Sequence, residues 1–84
     1  MTNKQIAEKF ANGATNGQNT SKSMFIDGDK IYSYGYHFVI ATRTANGFDF
    51  TNRKYSNTTA KHKNDTLKAL EATGQTVTRV DDLK

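Results

Sequence analysis

The sequence predicts an α+β fold: an N-terminal helix, a three-stranded antiparallel meander and a C-terminal helix packed on one sheet face, with a possible short final strand. Three observations carry this reading. Apolar residues recur at helical spacing near residues 6–10 and again over 60–73, but with period two from Met24 to Phe50. Two hairpin-type turn pairs, Asp27-Gly28 and Asn46-Gly47, divide the period-two region. Capping residues flank both helical stretches.

The first helix runs from Thr2 to Ala11. Thr2 is placed as N-cap with Gln5 three residues on, the spacing of a capping box. Ile6 and Phe10 then fall on one face beside Ala7, and Asn12 and Gly13 suit the helix end. Residues 12–23 hold two Asn-Gly pairs and no large apolar side chain, which predicts an exposed flexible linker and a loosely docked first helix. Met24 to Ile26 reads as a strand, Asp27 to Asp29 as a turn, and Lys30 to Arg43 as one long strand or two broken at Gly35. Strict alternation puts Tyr32, Tyr34, Tyr36, Phe38 and Ile40 on one face, with Ile31, Ser33, His37, Val39 and Ala41 on the other. A bulge at Gly35 would move part of that alternation to the opposite face. After the turn over Thr44 to Gly47, Phe48 to Arg53 returns with Phe48 and Phe50 facing the core.

Helix formers from Ala60 to Thr73, closed by Gly74, predict the second helix, with Ala60, Lys63 or Asn64, Leu67 and Leu70 on its buried stripe. Gln75 to Val80 alternates weakly and reads as a short edge strand. The expected organisation is one small domain over 1–84, made of a helix (1–11), a linker (12–23) and an α+β core (24–80).

Composition narrows the classes further. The chain has 84 residues and no cysteine, proline or tryptophan, so neither a disulfide frame nor a zinc–thiolate site supplements its core. The hydrophobic share is 35%, but nine aromatics concentrate apolar area in few side chains, as a folded domain requires. No apolar run approaches the ~20 residues of a membrane span, residues 1–23 carry no signal-peptide core, and the absence of cysteine fits a reducing, cytoplasmic setting.

The formal charge of +4 is unevenly placed. Arg43, Arg53, Lys54, Lys61, Lys63 and Lys68 stand against only Asp49 and Asp65 between residues 43 and 68, so this segment carries the whole net charge. Such segregation is an electrostatic footprint for a polyanion, or else the solvated surface of a slightly basic protein. The stretch Arg53-Lys54-Tyr55 followed by Ser56 to Lys63 adds hydroxyls and amides at a helix start beside basic side chains, which suits phosphate or an ordinary polar cap equally.

Signatures of catalysis are missing from the sequence. The six glycines never take phosphate-loop spacing. Ser33 and His37, four residues apart on a strand, would be separated by roughly 13 Å, too far for a nucleophile and its base. His62, between Lys61 and Lys63, reads as part of the basic helix start. Asp27-Gly28-Asp29 lacks the further acidic ligands of a calcium loop. No enzyme activity, cofactor or metal is expected. The tyrosines Tyr32, Tyr34 and Tyr36 read as a sheet rim, where phenols keep a polar end toward solvent or a partner.

The stretch from Ile26 to Ala41, with Tyr32-Ser33-Tyr34-Gly35-Tyr36-His37-Phe38 at its centre, and the segment Tyr55-Ser56-Asn57-Thr58-Thr59-Ala60-Lys61-His62 resemble a loosely defined family of small proteins and domains carried by phages and plasmids, over about residues 22 to 70. The resemblance brings no catalytic assignment. It implies an accessory protein of a mobile element acting in a bacterial or archaeal cytoplasm. The order of elements, with Ala60-Lys61-His62-Lys63 opening the last helix, is also similar to double-stranded RNA-binding domains, although the Asn/Gly-rich linker departs from their pattern. The sequence therefore points to a non-enzymatic binding module that engages nucleic acid or a host nucleoprotein complex through Arg53, Lys54, Lys61, His62, Lys63 and Lys68, aided by Tyr55 and the Tyr32/Tyr34/Tyr36 rim. The alternative is a protein-binding inhibitor of a host defence system, of the anti-CRISPR kind, acting through the tyrosines. A virion assembly component is a third reading.

Overall fold

A computed structural model describes residues 2–20, 23–33, 38–52 and 57–81. Among them are two helices, α1 (Asn3–Ala11) and α2 (Asn57–Ala72), and six strands: β1 (Asn16–Gln18), β2 (Met24–Asp27), β3 (Lys30–Ser33), β4 (Val39–Thr44), β5 (Gly47–Thr51) and β6 (Thr76–Val80). The strands form one sheet in chain order, antiparallel throughout except that β6 runs parallel to β5. The fold is α+β as the sequence predicts, but the sheet is six-stranded and mixed, in place of a three-stranded meander.

α1 begins as expected. The Thr2 hydroxyl accepts from the Gln5 amide at 3.1 Å, and the Gln5 side chain accepts from the Thr2 amide at 2.9 Å. The helix is firmly docked, which corrects the expectation of a loose one: Ile6, Ala7 and Phe10 are all fully buried.

Residues 12–23 also differ from the linker reading, because β1 lies within them and pairs with β2. The loop that returns the chain from β1 is held by Asn19, a buried polar residue. Its side-chain oxygen Oδ1 accepts from the Ser23 and Met24 amides, and its side-chain nitrogen Nδ2 donates to Oδ1 of Asn3 in α1. A polar side chain thus does what an apolar anchor would do elsewhere, and hydrophobic pattern alone misses it.

Gly35, where the sequence places a bulge, lies outside the described residues, and a register irregularity is found in β4. Ile31 pairs with Ala41 and Tyr32 with Val39, so Ile40 is an extra residue between adjacent partners. The alternation shifts there. Phe38, Ile40 and Ala41 all enter the core beneath the helices, whereas Val39 pairs with Tyr32 on the far face. Tyr32 therefore does not share a face with Phe38 and Ile40, contrary to strict alternation.

Both helices cover one face of the sheet and pack against each other. The core joins Ile6 and Phe10 of α1, Met24, Ile26, Ile31, Phe48 and Phe50 of the sheet, and Ala69 and Leu70 of α2. Phe10 and Phe48 meet at 5.9 Å between ring centroids, tilted by 46°. At the start of β5, Gly47 has a φ of +151°, and a Cβ there would overlap the Thr76 carbonyl oxygen. Glycine is what lets β5 and β6 come together at this end. No helix among the described residues is long and apolar enough to cross a membrane.

Candidate nucleic-acid interface

Helical period sets which residues of α2 meet the sheet. Counting back from Ala69 and Leu70, the buried stripe passes through Thr66 and His62, whereas Ala60 and Asn64 are exposed and Lys63 and Leu67 half-buried. This corrects the stripe read from hydrophobicity, and it moves His62 from the expected basic surface into the core. His62 is 1% exposed and shares a hydrogen bond of 2.8 Å between its Nδ1 and the hydroxyl of Ser33, itself fully buried. The Thr66 hydroxyl donates to the His62 carbonyl at 2.8 Å. Burial pushes the imidazole below its ordinary pKa, and nearby Asp65 opposes the shift more weakly. The distance is that of a nucleophile and its base, but both groups lie in the interior, so the contact is a polar bridge between β3 and α2.

The lysines remain at or near the surface. Lys61 and Lys68 are exposed, with Asp65 between them on the same helical face. Lys68 borders a groove of about 380 Å³ between α1 and α2, together with Lys4, Glu8 and Asp65. Lys63 leans toward β5, where its ammonium stands 5.6 Å from the centroid of Phe50. The guanidinium of Arg79 approaches the same ring at 5.4 Å. Two cations from different elements therefore meet at one aromatic ring. Sequence reasoning missed Arg79, although alternation in β6 places it two residues from Val77 and on the same face.

Arg43 belongs to the basic segment in sequence but not to the basic surface. Its Nη2 donates to the carbonyls of Phe10 at 2.7 Å and Ala14 at 2.8 Å, and its Nη1 contacts Asp29 at 3.3 Å. The guanidinium also covers the Phe10 ring at 4.6 Å. It ties the end of α1 to the β2–β3 turn.

Tyr32 is 9% exposed and stacks on Phe25 at 5.0 Å and 13°, on the sheet face away from the helices. Burial, with Asp27 nearby, raises its phenol pKa. Arg53, Lys54, Tyr55, Tyr34 and Tyr36 lie outside the described residues. Among the described residues, no group of three or more histidine or acidic side chains is placed to hold a metal.

Residues 1–82 match a protein family described as a family of unknown function, DUF8033. The chain belongs to that family. Comparison with curated proteins and with solved structures gives no match.

Proposed function

We propose that this chain is a small, non-enzymatic binding module that engages nucleic acid through the cationic side of α2 and β6. The observation that carries the reading is the convergence of Lys63 and Arg79 on Phe50, with Lys61 exposed on the same helix. Cations gathered from separate elements onto a rigid sheet and helix raise the local potential without ordering flexible side chains at the moment of binding. A polyanion is the partner whose charge density rewards that arrangement, through release of condensed counterions. Along the α1–α2 groove, Lys4 and Lys68 are balanced by Glu8 and Asp65, so the groove adds no net charge. The interface is therefore centred on Lys63 and Arg79. Burial of His62 and Tyr32 removes both from the contact surface. The phage or plasmid setting implied by the sequence resemblance is compatible with such a module.

The test is fluorescence polarisation against labelled duplex DNA, duplex RNA and single-stranded RNA at two salt concentrations. Binding that falls steeply with salt is expected. Changing Lys63 and Arg79 to Ala together should weaken it equally across sequences and reduce the salt slope by about 2. Absence of binding at low salt would overturn the reading and favour a protein partner.

A further inference from the structure

We propose that the open edge of β6 is a homodimer interface, pairing antiparallel with β6 of a second copy about a two-fold axis through Thr78. Among the described residues, β6 ends the sheet and has β5 as its only strand neighbour. The direction of its backbone groups follows from two contacts. The Val80 carbonyl accepts from the Asn52 amide at 2.7 Å, and the Thr76 carbonyl points at Gly47, so the main-chain groups of Thr76, Thr78 and Val80 face β5. By alternation, the N–H and C=O groups of Val77 and Arg79 face outward, with no described strand beside them.

The two edges of the sheet differ in how they guard against pairing. β1 is three residues long, polar, and has Gly17 at its centre. β6 is five residues, Thr-Val-Thr-Arg-Val, of which four are β-branched, with no lysine, glycine or proline to discourage a neighbouring strand. Its register is self-complementary. With the axis at Thr78, Val77 and Arg79 of each copy exchange four main-chain hydrogen bonds with Arg79 and Val77 of the other. Thr78 meets its own counterpart in a non-hydrogen-bonded pair, where side chains approach most closely, and Thr76 meets Val80. No like charges stand directly opposite. Thr76 and Thr78 are exposed, on the face away from the helices, so this pairing needs no rearrangement of the core. The product is a continuous twelve-stranded sheet, and four hydrogen bonds make it a concentration-dependent rather than an obligate dimer. A second copy is favoured over a foreign strand because the two-fold register about Thr78 sets Thr78 against itself, Val77 against Arg79 and Thr76 against Val80, with no charge opposite a like charge.

The absence of native cysteine makes the test direct. Thr78→Cys should cross-link into a covalent dimer under mild oxidation of the folded protein, because the central pair meets disulfide geometry. Thr76→Cys, four residues from its counterpart across the axis, should stay monomeric. Sedimentation of the unmodified chain should show a monomer–dimer equilibrium that Thr78→Lys, which opposes two ammonium groups at the axis, abolishes without altering the circular dichroism of the fold. A wild-type monomer at the highest attainable concentration, or equal cross-linking of Thr76→Cys and Thr78→Cys, would overturn the proposal. Capture of a different chain by β6 in competition with self-association would overturn the choice of a second copy.

Discussion

His62 offers the sharpest test of how this chain holds its second helix. The ring is 1% exposed, hydrogen-bonded to a fully buried serine, and its pKa is lowered by desolvation. In the unfolded chain the same imidazole titrates near 6.5. As pH falls the unfolded state binds its proton first, so stability is fully present above that value and is lost as pH drops through and below it. One proton of difference gives a slope of at most about 1.4 kcal/mol per pH unit, so the largest loss at pH 5.5 relative to neutral pH is about 1.4 kcal/mol. For a domain this small that is a substantial fraction of the ~5–15 kcal/mol typical of folded proteins. Urea unfolding of the wild type and His62→Gln at pH 7.5, 6.5 and 5.5, values chosen roughly one unit either side of the unfolded pKa, isolates the effect. The variant cannot titrate at this site, and His37 is common to both chains and cancels. The wild type should lose stability across the interval while the variant's profile stays flatter. Parallel profiles would show that His62 binds its proton equally well in both states, and the account of a buried neutral bridge would be wrong.

Gly47→Ala should destabilise the fold by about 3 kcal/mol or more, combining the strain of a left-handed φ with displacement of the Thr76 carbonyl. Thermal unfolding measures the loss, and amide exchange should show it concentrated in β6. Arg43→Met removes the guanidinium over Phe10 and leaves the Phe10 and Ala14 carbonyls without their charged donor, which should cost roughly 2–4 kcal/mol in urea unfolding. Arg43→Lys should recover only part of that, because an ammonium cannot span both carbonyls and the Asp29 carboxylate.

The sequence by itself determined the features written within a few residues of one another. The Thr2–Gln5 capping box, the Ile6–Phe10 face, the Asp27–Asp29 and Thr44–Gly47 turns, the second helix and a final strand over 75–80 are local matters of cap chemistry, turn residues and period. The tertiary structure decided what depends on distant partners. Asn12 to Ser23 reads as linker until Asn19 meets Asn3 and the Met24 amide, which lets β1 join the sheet. His62 reads as part of the basic helix start because a polar side chain is buried only when a partner satisfies it, and Ser33 lies 29 residues away. Arg43 reads as one more cation of a basic segment until the end of α1 occupies it. Arg79 joins Lys63 only because β6 runs parallel beside β5, a pairing that requires the whole of α2 to cross the sheet. The placement of charge along the chain was legible from composition. Which charges stand together was not, since adjacency on a folded surface follows strand order and helix register, which no single segment encodes.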